Sequence, residues 1–202
     1  QLKNYKTYNP QNEFVLYNGV DTSKFFKKET EKNDIFTIGC VANFWKIKDH
    51  ITLIKSTQRI FEDGNKIILR LIGSGPTLKS CKKYVFENNL TKYILFENEI
   101  VHEKLNDFYN DIDLFVLPSY YEAFGCVYLE SWATNTPFVG IEGQGISELI
   151  PNHEKENLLA FKQSINSLKE KILVEYNRRR SYPFLSKYDI KITIKGFVDN
   201  YL

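Results

Sequence analysis

The strongest constraint on the fold of this chain is that short apolar runs alternate with longer segments of helical period. The runs are rich in β-branched and aromatic residues and are mostly apolar at consecutive positions, which is typical of strands covered on both faces. They occupy residues 15–17, 35–38, 67–72, 93–96, 114–117 and 138–141. Repeated strand–helix–strand units favour right-handed crossovers. The sequence therefore predicts an α/β fold built on a doubly wound, Rossmann-like parallel sheet.

Helical periodicity fills the segments between these runs. Ile51, Ile54 and Phe61 recur at spacings that place them on one helix face, and Gly64 follows as a stop signal. The predicted helices cover residues 51–61, 78–88, 104–109, 127–133, 165–179 and 185–201. The strand pattern stops after Ser164, so the last two helices form a helical tail.

The length of 202 residues fits one domain. We expect residues 1–202 to form a single domain, with 1–14 as a linker and a C-terminal helix within 185–202. The chain opens with Gln and contains no Met, which favours a piece of a longer protein.

Composition excludes several classes of protein. The 27 basic and 25 acidic residues leave a net charge of +2, which argues against a nucleic-acid-binding protein and against a polybasic membrane anchor. No apolar stretch approaches the ~18 residues of a membrane span. Cys40, Cys81 and Cys126 form no CxxC pair, which argues against a disulfide framework. We expect a cytoplasmic protein.

The segment 118–130 carries the most specific pattern in the chain. A loop follows the predicted strand 114–117, and Gly125 allows close backbone approach before a helix begins. Amide groups near Gly125, Cys126 and Val127 would form an anion site at the positive end of that helix. In an open parallel sheet, ligands bind beyond the carboxyl ends of the strands, which is where this segment lies.

Two carboxylates flank this predicted anion site. Glu122 lies in the loop and Glu130 eight residues later, which would span about 12 Å along a helix. That separation exceeds the roughly 5–9.5 Å of a glycosidase carboxylate pair. It suits two acids that hold opposite ends of an extended ligand with a phosphate group between them.

The pattern Pro-Ser-x-x-Glu-x-Phe-Gly with a second Glu at position 130 resembles the nucleotide-sugar motif of retaining GT-B glycosyltransferases of family GT4, the glycosyl transferases group 1. Further segments resemble this family in its own order. They are 16–21 with Phe25, 41–44 with Lys48, 71–76, and 143–150. The resemblance implies the C-terminal, donor-binding half of a GT-B fold.

The family resemblance implies roles for residues around the diphosphate and the donor sugar. Glu122 would contact the donor sugar near the reacting centre, and Lys48 would neutralise the leaving diphosphate. The amides of Phe124, Gly125 and Cys126 would hold that diphosphate. We expect Glu122 and Lys48 to be the catalytic residues.

The resemblance also implies contacts to the rest of the nucleotide. Glu130 would bind the ribose hydroxyls, and Ile100 would make an apolar contact with the base. Gly73 belongs to the glycine turn after the predicted strand 67–72. Asn43 lies in the phosphate-contacting loop. These four residues complete the predicted donor site.

The chain departs from the family pattern at several positions. Asn43 stands where relatives have Arg, and Lys46 is a partial substitute that lacks the bidentate guanidinium. Asp49 follows Lys48 where relatives have Gly, and its carboxylate is expected to weaken the cationic site. Asn135 replaces a Gly in a turn, a mild change because Asn tolerates left-handed φ.

The resemblance implies a reaction and its partners. The intact enzyme would move a hexosyl unit from a UDP- or GDP-sugar to a glycan or lipid-linked acceptor in polysaccharide biosynthesis, without a metal or other cofactor. The acceptor domain would precede Gln1, so the domain alone is expected to bind nucleotide and barely turn over. Peripheral membrane contact is expected only of the intact enzyme.

Two alternative functions remain open from the sequence. One is a degenerate, non-catalytic nucleotide-sugar-binding module that has lost its phosphate Arg. The other is a half-domain like that of a sugar-nucleotide epimerase.

Three further patterns indicate structural roles. Asp111 and Asp113 imitate a metal-binding Asp-x-Asp but precede a strand, where Asp is an ordinary turn residue. The turn 73–76 lacks the third glycine of a dinucleotide fingerprint. His50, His102 and His153 have no metal-ligand spacing and are expected at the surface or at helix ends. No metal site is predicted.

Overall fold

The computed structural model describes residues 16–29, 34–179 and 183–201, and their centre is a six-stranded sheet. The strands are β1 Phe36–Val41, β2 Ile67–Ile72, β3 Ile94–Glu97, β4 Leu114–Val116, β5 Phe138–Ile141 and β6 Leu159–Ala160. Their order is β3-β2-β1-β4-β5-β6, and every neighbouring pair is parallel. The predicted doubly wound parallel sheet is confirmed.

Helices connect the strands and pack on the sheet. They are α1 His50–Glu62, α2 Leu78–Glu87, α3 Leu105–Asp111, α4 Cys126–Ala133, α5 Asn152–Leu158, α6 Ile165–Arg178 and α7 Ile190–Tyr201. Short 3₁₀ helices occupy Lys46–Lys48, His102–Lys104, Gly145–Glu148 and Ser186–Tyr188. Among the described residues, no helix combines the length and the apolarity needed to cross a membrane.

The predicted elements differ from the observed ones mainly near the ends of the chain. Val15 lies outside the described residues, and Leu16 and Tyr17 are not in a strand. The two-residue β6 and the polar α5 were not predicted, because neither has an apolar run or stripe long enough to be recognised.

The predicted helix over 185–201 is interrupted at Asp189. The Val20 amide donates to the Tyr188 carbonyl and the Ile190 amide donates to the Val20 carbonyl, both at 2.9 Å. This parallel bridge holds Asp189 in an extended conformation, so α7 begins only at Ile190. A contact between residues distant in sequence therefore overrides local helical propensity.

The core lies along the central strands and beneath α4. The side chains of Tyr109, Tyr128 and Trp132 are almost completely buried, and their rings contact Phe115 and Phe138 of the sheet. Burying an aromatic ring removes a large apolar area from water, at about 25 cal/mol per Å². The N-terminus of α4 thus rests on a rigid aromatic layer.

The sheet has its topological switch point between β1 and β4. The chain proceeds outward from β1 through β2 to β3, then returns to β4 on the other side. The loops after β1 and β4 therefore separate, and a crevice opens beyond the carboxyl ends of these strands.

Candidate functional site

A cavity of about 500 Å³ occupies the crevice at the switch point. Its walls come from the loops after β1, β2, β3 and β4 and from the first turn of α4. Eight of the ten predicted site residues line it: Asn43, Lys48, Gly73, Ile100, Glu122, Gly125, Cys126 and Val127. Phe124 and Glu130 do not line it directly. The fold thus brings together predicted site residues that are up to 84 positions apart in the sequence.

The first turn of α4 forms one wall of the cleft. Gly125 precedes the helix in a left-handed conformation, with φ 76°, and a Cβ there would lie 2.9 Å from the Tyr128 ring. Only glycine combines this φ with this approach. The first amide groups of a helix have no intrahelical acceptor, so the α4 N-terminus can bind an anion. Asn18 Nδ2 reaches the same turn and lies 3.5 Å from Cys126 Sγ.

The two acids are arranged differently from the helical spacing expected between them. Helix α4 begins only at Cys126, so Glu122 belongs to a loop and Glu130 lies about one turn into the helix. The estimate of about 12 Å between the two acids assumed helical spacing from Glu122 to Glu130, and that assumption is wrong. The two carboxylates are positioned by different partners.

Glu122 forms an ion pair with Lys48. Lys48 Nζ contacts Glu122 Oε2, and the two side chains are 23% and 15% exposed. Lys48 ends the 3₁₀ helix that follows β1, and Glu122 lies in the loop that follows β4. The pair therefore bridges the two loops that diverge at the switch point.

The glycine-rich stretch holds the Glu122 loop in place. The Glu122 amide donates to Gln144 Oε1 at 2.7 Å. A Cβ at Gly145 would lie 1.8 Å from the Ala123 carbonyl oxygen, so no side chain fits there. The sequence of this stretch shows a motif, but its support of the acid depends on contacts with a distant loop that no local pattern predicts.

Glu130 is buried beside the cleft, at 8% exposure. Tyr109 donates its hydroxyl hydrogen to Glu130 Oε2 at 2.9 Å, and His102 Nε2 lies 3.3 Å from Glu130 Oε1. Burial and the adjacent carboxylate raise the pKa of Tyr109 well above its usual value, so the phenol stays a donor. Tyr109 and His102 were missed as functional residues, because their contact with Glu130 joins separate elements.

The turns after β1 and β2 lie in direct contact. The Phe44 amide donates to the Ser74 carbonyl at 2.7 Å. Gly73 has φ 140°, and a Cβ there would lie 2.2 Å from the Ala42 carbonyl oxygen. This close approach explains the glycine and fixes the loop that carries Asn43.

Asp49 does not weaken the cationic site in the way expected from the sequence. It has the left-handed φ of 49° that a glycine would adopt, and it lies next to Lys48 in the chain. Its buried side chain lines a separate cavity between α1 and α2, together with Lys46. Burial raises the pKa of the Asp49 carboxyl. Lys46, expected as a partial substitute for the missing Arg, also lies in that other cavity.

His50 was expected at the surface or at a helix end, and it begins α1 but is buried. Its ring stacks on Phe44 with 3.9 Å between the ring centroids. Burial lowers the pKa of His50 to about 4, so the ring is neutral near pH 7. His153 is exposed, as predicted.

The Asp-x-Asp segment has the structural role predicted for it. Asp113 Oδ2 accepts a hydrogen bond from the Thr37 amide at 2.8 Å and so anchors the start of β1. Asn135 adopts a left-handed φ of 59°, which fits the glycine that the family resemblance implies at this position. Within the described ranges, no three His, Cys, Asp or Glu side chains are grouped to hold a metal ion.

Comparison with known sequences gives a consistent match. A sequence model of the family "Glycosyl transferases group 1" matches residues 21–181. The lipopolysaccharide core biosynthesis mannosyltransferase LpsB of Rhizobium meliloti is 36% identical over 157 residues, 70% of this chain and 44% of that protein. The O-antigen chain mannosyltransferase RfbU of Salmonella typhimurium is 28% identical over 149 residues, 73% of this chain and 41% of that protein. The chain spans less than half the length of these relatives.

Solved structures share the fold. The C-terminal domain of the glycosyl transferase group 1 protein LpcC from Francisella tularensis has a TM-score of 0.69 at 23% identity, covering 91% of this chain and 98% of that one. Sucrose-phosphate synthase from Thermosynechococcus elongatus has a TM-score of 0.78 at 23% identity, and the match covers 92% of this chain and 51% of that one. The predicted GT-B half-fold is confirmed. Because the family model matches most of its length, the chain belongs to the glycosyl transferases group 1.

Proposed function

We propose that this chain is the donor-binding domain of a retaining glycosyltransferase that uses a nucleoside diphosphate sugar, either UDP- or GDP-linked. The observation that carries the proposal is the cleft at the switch point. It combines the N-terminus of α4, a lysine and a loop carboxylate, with a second carboxylate buried at its side. These groups match the three parts of such a donor: an anionic diphosphate, a sugar and a ribose.

The diphosphate would bind between Lys48 and the amides of Phe124, Gly125, Cys126 and Val127. Negative charge develops on this group as the sugar–phosphate bond breaks. A fixed ammonium and oriented amides stabilise that charge without a metal ion. The proposed donor site is therefore metal-independent, with Lys48 supplying the positive charge.

Glu130 would accept hydrogen bonds from the two ribose hydroxyls. A carboxylate offers about four lone-pair positions, and contacts with Tyr109 and His102 use at most two of them. Glu122 would hold the donor sugar once the diphosphate draws Lys48 away from it. In this proposal the ion pair would lie where the phosphate and the sugar of the donor adjoin.

The acceptor would be a glycan or a lipid-linked saccharide in polysaccharide biosynthesis. LpsB and RfbU are named for lipopolysaccharide core and O-antigen assembly. We propose that a preceding domain binds this acceptor and that the enzyme works in the cytoplasm, with peripheral membrane contact. Sugar transfer by the full-length protein, lost in Glu122→Ala, would test this part.

Calorimetric titration of this chain with UDP and GDP tests the donor site. We expect micromolar binding of one of them, abolished by Glu130→Ala and weakened about tenfold by Lys48→Ala. Glu142→Ala, which removes an exposed carboxylate after β5, is the control and should leave the affinity unchanged. Absence of binding to every nucleoside diphosphate would overturn the proposal.

One feature favours a second candidate, a non-catalytic nucleotide-sugar-binding module. Asn43 lines the cleft where relatives have an Arg, so one positive charge is missing beside the diphosphate. This candidate predicts nucleotide binding by the chain but no sugar transfer by the full-length protein. Asn43→Arg would then raise the affinity for the diphosphate. Glu122→Ala would change nothing in a transfer assay, because the unaltered protein would already show no transfer.

A further inference from the structure

We infer that the base of the bound nucleotide is guanine and that the Glu99 carboxylate selects it, so that the donor is a GDP-sugar. The inference rests on the proposed function, because it assumes that the cleft holds a nucleoside diphosphate. It goes further by naming the residue that discriminates between bases.

The sheet fixes which end of the cleft the base occupies. The residues proposed to bind the diphosphate line the cleft at the switch point between β1 and β4, whereas β2 and β3 are the outer strands on one side. Ile72 and Glu97 are paired at the ends of those strands. Gly73 follows one and Ile100 follows the other, and both line the cleft. If the diphosphate of a nucleotide binds at the N-terminus of α4, its ribose and base must extend from there toward one end of the cleft.

The ribose site points toward this outer end. His102, which lies 3.3 Å from the Glu130 carboxylate, is two residues after Ile100. The segment 99–102 therefore runs from the ribose-binding acid to the outer wall of the cleft. A base attached to that ribose would contact Ile100 with one face and approach Glu99 with an edge.

Glu99 is held at this wall by a defined contact. Ser74 donates its hydroxyl hydrogen to Glu99 Oε1 at 2.5 Å, which joins the turn after β2 to the turn after β3. Glu99 is exposed and lines the cleft. Nearby Glu97 differs, because Arg70 binds both of its carboxylate oxygens, at 2.5 and 3.0 Å. Of these two acids, Glu99 is therefore the one that lines the cleft.

The chemistry of a carboxylate distinguishes guanine from the other bases. Guanine presents two adjacent donors, N1–H and the N2 amino group, which match the two oxygens of a carboxylate as a guanidinium does. Uracil presents a single N3–H between two carbonyl oxygens, and those oxygens repel a carboxylate. Adenine has an acceptor at N1. A base that lacks one of the two donors leaves a carboxylate oxygen unpaired where the bound base shields it from water, and it therefore binds less tightly.

Calorimetric titration of the chain with GDP, UDP and ADP tests the inference. We expect GDP to bind at least tenfold more tightly than UDP or ADP. Glu99→Gln should weaken GDP at least tenfold. It should also reduce or reverse the preference for GDP over UDP. A carboxamide can accept a hydrogen bond from N3–H of uracil and donate one to its O4. Glu142→Gln, an exposed control, should leave both affinities unchanged.

The outcomes separate the two proposals. The inference is overturned if UDP binds more tightly than GDP, or if Glu99→Gln leaves the ratio of the GDP and UDP affinities unchanged. Either result would leave the proposed nucleotide-binding function standing. No binding of any nucleoside diphosphate overturns the proposed function and the inference together. Glu99 is exposed, so its substitution should leave the melting temperature unchanged, and this measurement confirms that the variant is folded.

Discussion

Tyr109 donates its hydroxyl hydrogen to Glu130 across the junction of α3 and α4, with 2.9 Å between the oxygen atoms. Both side chains are buried, and they are 21 residues apart in sequence. Tyr109 holds one oxygen of the Glu130 carboxylate in place, so this tyrosine is a positioning residue for the proposed ribose contact. The contact would also link the proposed nucleotide binding to the packing of the core.

Tyr109→Phe should weaken nucleotide binding and lower stability. The variant keeps the buried ring but removes one donor to Glu130, which should cost about 1–2 kcal/mol of unfolding free energy. We expect the affinity for the preferred nucleoside diphosphate to fall several-fold. Tyr128→Phe is a matched control, because it removes the hydroxyl that donates to the Leu117 carbonyl in the same core. It should reduce stability similarly without the loss of affinity. Urea unfolding and calorimetry measure the two effects.

Replacement of Glu122 should separate diphosphate binding from sugar binding. In the protein without ligand, Glu122 is paired with Lys48, and its carboxylate offsets part of the positive charge that Lys48 would offer to a phosphate. Glu122→Gln removes the competing charge, so we expect the free nucleoside diphosphate to bind a few-fold more tightly. The nucleotide sugar should bind no more tightly than to the unaltered protein, since its sugar contact is weakened. Equal gains for both ligands would contradict a role of Glu122 at the sugar.

Gly145→Ala should displace the Glu122 loop. The new Cβ would lie 1.8 Å from the Ala123 carbonyl oxygen, a distance that only backbone movement can relieve. We expect a loss of about 1–3 kcal/mol of stability together with weaker donor binding. Gly143→Ala is the control in the same stretch. A Cβ there meets nothing within 4 Å, although φ is 76°, so only backbone strain of about 1–2 kcal/mol is added. Its donor affinity should be unchanged.

The sequence could predict the sheet and the cleft because both depend on local signals. Strand β2 and strand β5 have the predicted bounds, since their apolar runs end at clear breaks. Gly73 and Gly125 were correctly assigned to turns, because each needs a φ or a close approach that side chains do not permit. The fold and the position of the cleft followed from such patterns.

The sequence could not predict contacts between distant elements. Tyr109 supports Glu130, and His50 is buried against Phe44. Both contacts depend on how the elements pack in three dimensions, and no local sequence pattern indicates either of them. Asp49 shows the same limit. Its position beside Lys48 suggested interference, but a side chain's direction is set by backbone conformation, which here is left-handed.

Asp49→Asn should stabilise the protein near neutral pH. Burial raises the folded-state pKa of this carboxyl, and Oδ2 has no hydrogen-bond partner. An acid with a raised folded pKa binds its proton more tightly when folded, so its contribution to stability is lost as pH rises from the unfolded pKa through the folded one. Above that range the buried charge is destabilising, and the variant should gain about 1 kcal/mol at pH 7.

The gain from Asp49→Asn should shrink as the pH falls through the raised folded-state pKa and should be lost below about 4, where the carboxyl is protonated in both the folded and the unfolded state. Asparagine tolerates the left-handed φ, so backbone strain does not obscure the comparison. Urea unfolding from pH 3 to pH 8 measures the difference. Asp111→Asn, at an exposed position, should show no comparable pH-dependent gain. A gain that is constant with pH would mean that the effect of Asp49 is steric and does not arise from its buried charge.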